Sequence, residues 1–374
     1  MTIYLDNMAA TPVDPRVAEH HKSMMIALPG NGHSVDHAHG AAAAQVLENA
    51  AEDVAAFVGR PSEDLCFTPG ASAALWLAIE SVLAESPQPA RIAVSATEHP
   101  ALLDHLRQAA AKGRIQLITI AVDNAGIPQV QALVDAMAQG VDLVCAMAAN
   151  NEVGTITDWT ELAAIARLGN ARLLVDASQA GGRLPMADYA QADYLIVSGA
   201  KMYGPRRVGV LVGKLGKVVR SLAETLFGSP DVAGASAMAL ACRLRLAEGA
   251  VDEVMIADMR DRLQGLLERS VPGLVVNGVS ARRLAGSLHV SAPDIPGEAV
   301  VARLWDQVSL STGAACQSGV PGPSHVLTAM GVPEWVAEGA VRIGVGRFNN
   351  MDEIDRAAEL ISTAMTPVAA RRRA

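Results

Sequence analysis

Between about residues 64 and 213, short β-branched apolar runs alternate with longer segments of helical period. That alternation confines the chain to a mostly parallel sheet with helices on its faces. The predicted strands are Leu65-Cys66-Phe67, Ile92-Ala93-Val94, Ile115 to Ile120, Leu143 to Met147, Leu173-Leu174-Val175, Tyr194 to Val197 and Val208 to Val212. Predicted helices cover Ala71 to Leu83, Pro100 to Ala111, Val130 to Ala138 and Glu161 to Leu168. After about Gly249 the pattern changes to one long amphipathic segment, Val251 to Arg269, followed by strands at Leu274-Val275-Val276 and Ser287 to Val290. This change of texture predicts a second, smaller α+β domain.

Half of the 374 residues are hydrophobic (51%) and 18% are charged, enough apolar surface for a sizeable core and too little net polarity for disorder. Acidic residues outnumber basic ones, 39 to 30, so no global positive field gathers nucleic acid or an anionic membrane. Arg371, Arg372 and Arg373 read as a solvated tail. Phe, Trp and Tyr number four each, so the core must be aliphatic, and stacking platforms for single-stranded nucleic acid are not expected. Cys66, Cys145, Cys242 and Cys316 lack paired spacing, which argues against a disulfide framework and a cysteine zinc site and for a reducing compartment. The opening residues have no signal-peptide character, and no stretch reaches the ~18 apolar residues of a membrane span, so the expected location is the cytoplasm.

In open α/β sheets ligands bind beyond the carboxyl ends of the strands. Four polar segments fall there. Thr68-Pro69-Gly70-Ala71-Ser72 is a strand, a glycine turn and a helix start, where backbone N–H groups can hold a phosphate. Asn150-Asn151-Glu152-Val153-Gly154 follows the Leu143 strand. Asp176 closes the next one; in that slot alone an aspartate reads most simply as a cap for the following turn. Ser198-Gly199-Ala200-Lys201 follows the Tyr194 strand, and a lysine there can lose its proton on burial and attack a carbonyl as a neutral amine. A phosphate cradle, an Asp and a Lys on strand ends together suit pyridoxal 5′-phosphate: the Asp pairs with the pyridinium nitrogen and the Lys carries the aldehyde carbon.

The chain resembles the cysteine desulfurases of the NifS/IscS type, within the class V aminotransferases of fold-type I. The resemblance rests on Tyr4-Leu-Asp-Asn-Met-Ala-Ala-Thr-Pro-Val-Asp-Pro15, Gly30-Asn31 with His37 and Gly40, Glu98-His99, Asn150 to Gly154, Asp176-Ala-Ser-Gln179, Ser198 to Lys201 with Tyr203-Gly-Pro205, Ser311-Thr-Gly-Ala-Ala-Cys316, and Val341 to Arg347. It implies a large cofactor-binding domain over 12–249 and a small domain formed by 1–11 and 250–374. It further implies that Lys201 holds the cofactor, Asp176 pairs with the ring nitrogen, Gln179 touches the 3′-oxygen and His99 stacks on the ring. Asn151 and Arg342 would hold the substrate carboxylate, with Asn151 also near the 3′-oxygen. Ala71, Ser72 and Ser198 would hold the phosphate. The implied reaction converts L-cysteine to L-alanine, with Lys201 moving the α-proton and Cys316 taking the sulfur as a persulfide for an acceptor protein, by analogy in iron–sulfur cluster assembly or tRNA thiolation. A homodimer is implied as well.

Cys316 also stands out on its own surroundings, since Gly, Ala, Ser and Pro on both sides describe a loop. The other three cysteines lie in apolar segments and are expected in the core. Three positions depart from the family pattern. Ala200 replaces a histidine, Gly70-Ala71-Ser72-Ala73-Ala74 keeps one hydroxyl but loses a carboxylate, and the segment Phe227 to Ser236 is shortened, with no arginine and only Ser236 in place of a phosphate-binding threonine. Fewer phosphate contacts predict weaker cofactor retention. His33, His37 and His39 cluster without a clear fourth ligand, so no metal site is expected. The competing readings are another class V lyase or aminotransferase, against which the Cys316 loop argues, and a degenerate non-catalytic partner in sulfur transfer.

Overall fold

The computed structural model describes residues 2–86, 89–312 and 324–366. In chain order the elements are β1 (Ile3–Tyr4), α1 (Pro15–Ala27), α2 (Ala38–Val58), β2 (Leu65–Thr68), α3 (Ala71–Glu85), β3 (Ala90–Ser95), α4 (Pro100–Ala111), β4 (Ile115–Ile120), α5 (Val130–Met137), β5 (Leu143–Met147), α6 (Trp159–Leu168), β6 (Arg172–Asp176), β7 (Tyr194–Ser198) and β8 (Gly209–Gly213). They continue with α7 (Lys217–Phe227), α8 (Val232–Ser270), β9 (Val275–Val276), β10 (Ser287–Ser291), α9 (Gly297–Arg303), β11 (Val308–Ser309), α10 (His325–Ala329), α11 (Glu334–Glu338), β12 (Ala340–Gly344) and α12 (Met351–Met365).

The central sheet runs β2-β8-β7-β6-β5-β3-β4, parallel except for β8, which is antiparallel to both neighbours. Its inner strands β5 and β8 are apolar and buried along their whole length because both faces are covered. Along β5, Val144 and Ala146 join one core with α2, α5, α6 and the first half of α8, while Leu143 and Cys145 join the other with α3, α4 and α7. Alternation with period two assigns each residue to its side. With so few aromatics, these cores close on alanine-rich helices such as α3, whose buried Ala74, Leu75, Ala78 and Ile79 let helix and sheet approach closely.

A separate apolar cluster joins Ile3 and Leu5 to the second half of α8, β10, β12 and α12. There β12, β10 and β9 form an antiparallel sheet, and β1 pairs in parallel with β11. The predicted strands and helices are found within a few residues, but two expectations change. The helix expected to begin after Gly249 instead begins at Val232 and runs unbroken to Ser270. A helical glycine costs about 1 kcal/mol against alanine, but at Gly249 a Cβ would stand 3.2 Å from the Gly182 carbonyl oxygen and crowd it, so glycine suits the close packing there.

The shortened segment Phe227 to Ser236 runs from the end of α7 into the first turns of α8. Asp231 caps α8 by accepting from the Gly234 N–H at 3.0 Å, which places Ser236 inside the helix, its hydroxyl 2.7 Å from Nε2 of His20. Ser236 is thus engaged by α1 within this chain. Among the three cysteines expected in the core, Cys145 and Cys242 are buried, whereas Cys66 on β2 is only partly so. Among the described residues no helix is long and apolar enough to cross a membrane.

Candidate active site

The carboxyl ends of β3, β5, β6 and β7 deliver His99, Asn151, Asp176 and Ser198 with Lys201 to a single cavity of about 200 Å³. The cavity is closed by Ala71 and Ser72 of α3, by Gln179, by Met8 and Ala9 of the N-terminal segment, and by Arg342 of β12. Every site residue expected from the sequence lines it except Cys316, which lies outside the described residues.

Gly70 adopts φ +114°, and α3 begins at the next residue without a side-chain cap. The first N–H groups of the helix are therefore left to a ligand, where the helix dipole favours an anion. Gly209 of β8 passes so close that a Cβ there would meet the Gly70 carbonyl carbon at 2.6 Å. Any larger residue would displace the turn.

Lys201 follows β7 in a single turn, and its ammonium donates to the Met8 carbonyl at 3.2 Å and to the Ala9 carbonyl. The N-terminal segment is stitched to this turn from both sides, Thr11 N–H donating to the Ala200 carbonyl at 2.9 Å and Tyr203 N–H to the Thr11 hydroxyl at 2.8 Å. Asp176, buried at the end of β6, accepts from Ser178 N–H at 2.9 Å, so the local turn that it was expected to cap is present and leaves its second oxygen to the cavity.

His99 caps α4, its Nδ1 accepting from Ala101 N–H at 3.1 Å. An Nδ1 that accepts leaves the proton on Nε2. Burial lowers the pKa of this ring, more than the attraction of Asp176 raises it. It is therefore a neutral imidazole at pH 7. Behind it, Glu98 is fully buried, with one oxygen accepting from Met147 N–H at 2.7 Å and the other unpartnered. Burial first, and the nearby Asp176 second, push its carboxyl well above the usual range.

Arg342 is 1% exposed and donates to Asp6 at 3.1 Å and to the Asn151 carbonyl at 3.1 Å. Its Nε has no partner, and neither end of the Asn151 carboxamide has one. The Ser178 hydroxyl is also buried and unpartnered. Buried polar atoms without partners are rare in native proteins and cost about 1–3 kcal/mol each. Lining one cavity, these orphans mark where a polar ligand binds. They fit a pyridoxal phosphate: an uncapped helix start for its phosphate, a carboxylate for its ring nitrogen, a lysine for its aldehyde carbon and amides for its ring oxygen.

The described residues flanking Cys316 are tied to this cavity. Upstream, Ser311 donates through its hydroxyl to Asp6 at 3.1 Å and exchanges backbone bonds with Arg342. Downstream, the Ser324 hydroxyl donates to the buried Glu152 carboxylate, and His325 Nε2 lies 2.9 Å from the Glu98 carbonyl oxygen.

Residues 3–357 match the family model described as aminotransferase class-V. The chain belongs to the class-V aminotransferase family. Within this family it is similar to the mitochondrial cysteine desulfurase of Arabidopsis thaliana, 32% identical over 372 residues that cover 96% of this chain and 81% of the relative. It is also similar to cysteine desulfurase IscS of Anaeromyxobacter sp. (strain Fw109-5), 33% identical over 96% of this chain and 91% of the relative. Among solved structures, a NifS-like protein superposes with a TM-score of 0.86 at 28% identity over 97% of this chain and 99% of its own. The class-V chain is thus of the NifS/IscS type, and its mostly parallel sheet is that of the fold-type I enzymes.

Sequence reasoning passed over Asp6, Glu98 and Arg183 as functional residues. Asp6 and Glu98 lie within segments that carry the resemblance, but nothing in their local sequence reveals that one meets Arg342 or that the other is fully buried. Arg183 has no sequence signal at all.

Proposed function

We propose that this class-V chain is a cysteine desulfurase that takes sulfur from L-cysteine, releases L-alanine and passes the sulfur through Cys316 to an acceptor protein. The observation that carries this reading is the juxtaposition of Asp176, at the end of β6, and Lys201, in the turn after the adjacent parallel strand β7, around a cavity whose Asn151 and Ser178 polar atoms are buried and unpartnered.

Pyridoxal phosphate, held by Lys201, Asp176, Gln179, His99, Asn151 and the Ala71, Ser72 and Ser198 cradle, would supply an electron sink for the carbon skeleton of the substrate. Arg342 would take the substrate carboxylate, its free Nε and fixed plane favouring a paired contact. Asp6 and the Asn151 carbonyl hold that plane in place beforehand, so little ordering cost falls on binding. Lys201 would be the amine that removes the α-proton; the Met8 and Ala9 carbonyls are the acceptors that hold its Nζ. His99, neutral with its proton on Nε2, is suited to donate a proton and regain it.

Sulfur transfer requires the Cys316 thiolate to attack the substrate sulfur. A sulfur–sulfur bond forms, the carbon–sulfur bond breaks with its electron pair going to the carbon skeleton, and that skeleton gains a proton before leaving as alanine. A free thiol starts near pKa ~8.5, so the site must supply a base or a positive neighbour. Cys145 and Cys242 do not compete for this role, since burial pushes both thiols up.

A homodimer in a reducing compartment such as the cytoplasm completes the reading, with iron–sulfur assembly or thiolation as the destination of the sulfur. The test is isotopic. In D₂O, wild type and Cys316→Ala are both expected to exchange the α-proton of L-cysteine, whereas Lys201→Ala is not; alanine formed by Cys316→Ala at the wild-type rate would instead favour another class V lyase.

A further inference from the structure

The guanidinium of Arg183 lies behind the wall of the cavity. Nη1 donates to Oε1 of Gln179 at 3.0 Å and stands 3.1 Å from Sδ of Met8, while Nη2 donates to the carbonyls of Asn7 at 3.1 Å and Lys201 at 3.2 Å. These partners are oxygens of neutral groups and a thioether, so none of these bonds pairs its charge with a carboxylate. One side chain therefore joins the N-terminal segment, the turn after β6 and the backbone of the lysine that is to hold the cofactor.

A guanidinium has five N–H donors and no acceptor. The atom of Gln179 that faces it must then be the carboxamide oxygen, and the nitrogen must face the other way. There one N–H of Gln179 donates to the Met8 carbonyl at 2.9 Å. The same nitrogen carries a second N–H, and Gln179 lines the cavity. The terminal torsion of a glutamine is broad and close to two-fold, and without Arg183 only the Met8 carbonyl, which also accepts from the Lys201 ammonium, would favour this orientation over the reversed one. In the reversed orientation the oxygen would meet an anionic ring oxygen, acceptor against acceptor.

We propose that Arg183 is a positioning residue for the cofactor: it locks the Gln179 carboxamide with its N–H side toward the cavity, so that Gln179 donates a hydrogen bond to the ring oxygen. The proposal rests on the cofactor reading above and adds a residue to it. Arg183 acts through Gln179 and does not itself line the cavity. Losing one neutral hydrogen bond weakens binding by about threefold to tenfold.

The experiment is a double-mutant cycle on cofactor binding, read without turnover. Wild type, R183M, Q179L and R183M/Q179L are stripped of cofactor and titrated with pyridoxal phosphate. The readouts are the dissociation constant and the pH midpoint of the bound cofactor's visible absorbance band. R183M and Q179L are each expected to weaken binding about threefold to tenfold and to shift the midpoint. The double variant is expected to match Q179L within twofold, because the arginine has nothing left to orient. R183K, which keeps a donor-only cation, is expected to fall between wild type and R183M. If R183M weakens binding by the same factor with and without Gln179, or leaves both readouts unchanged, the proposal is overturned. Circular dichroism checks that each variant folds, and R183K replaces R183M in the cycle if the latter does not. A folded wild type that binds no pyridoxal phosphate would overturn the cofactor reading itself, and the proposal with it.

Discussion

Nη2 of Arg342 and Oδ1 of Asp6 stand 3.1 Å apart, joining the first residues of the chain to β12 near its end. The same Asp6 oxygen accepts from the Ser311 hydroxyl at 3.1 Å, so one carboxylate fixes both the Arg342 guanidinium and a residue upstream of Cys316. Arg342 is consequently oriented before substrate arrives. Arg342→Ala is expected to lower kcat/KM for L-cysteine by about 10- to 150-fold, the equivalent of a hydrogen bond to a charged group, chiefly through KM. Asp6→Asn keeps the shape and loses the charge, so it is expected to have a smaller effect in the same direction. Steady-state alanine formation over a range of cysteine concentrations checks both.

Glu98 is a buried acid whose folded-state pKa lies above its unfolded value. Such a group contributes stability that is fully present below the unfolded pKa, near 4.5, and is lost as pH rises through the folded value. Each unit of elevation costs about 1.4 kcal/mol at pH above both values. Glu98→Gln keeps an oxygen for the Met147 N–H and removes the ionisation. Urea unfolding is expected to show the variant more stable than wild type at pH 8, with the difference vanishing toward pH 4.5. A variant less stable than wild type at pH 8 would contradict this assignment.

His289 of β10 titrates with the opposite sign. Burial, with Arg342 beside it, lowers its pKa to about 3, and its Nδ1 lies 3.0 Å from Nδ2 of Asn277. A depressed folded-state pKa gives stability that is present above the unfolded value, about 6.5, and is lost as pH falls toward 3. Wild type is expected to lose up to about 1.4 kcal/mol per pH unit over that window from this group alone. His289→Gln is expected to flatten the loss, which unfolding curves at pH 7, 5.5 and 4.5 would record.

Ala200 stands beside Lys201, the proposed cofactor lysine, where the family pattern has histidine. Ala200→His is expected to tighten pyridoxal phosphate binding by at least about tenfold, since a hydrogen bond to a charged group is worth about 1.5–3 kcal/mol. Equilibrium dialysis of the stripped protein measures it. Unchanged affinity would show that the lost histidine is not what limits retention here.

The sheet was legible because strands buried on both faces are written as short apolar runs, as in β5, while the edge strand β4 keeps enough β-branched residues to fall on the predicted span, and Pro100 after His99 marks the start of α4. The strand-end polar residues were legible for the same reason, since Asp176, Ser198 and Lys201 interrupt or follow apolar runs. Burial and long-range pairing were not. Whether Glu98 is protonated, what holds Arg342 and which atom of Gln179 faces the cavity all depend on segments far apart in sequence. Gly249 inside α8 misled because it packs close against Gly182 within an unbroken helix, and Cys66 misled because it sits on the edge strand β2 and is only partly buried.

The most direct measurement is the intact mass of the protein after brief incubation with pyridoxal phosphate and L-cysteine, without reductant, followed by peptide mapping. Wild type is expected to gain one sulfur atom on Cys316, with alanine released in equal amount, while Cys316→Ala and Lys201→Ala gain none. Alanine formed with no added sulfur on Cys316, or sulfur found on Cys66 in its place, would contradict the account.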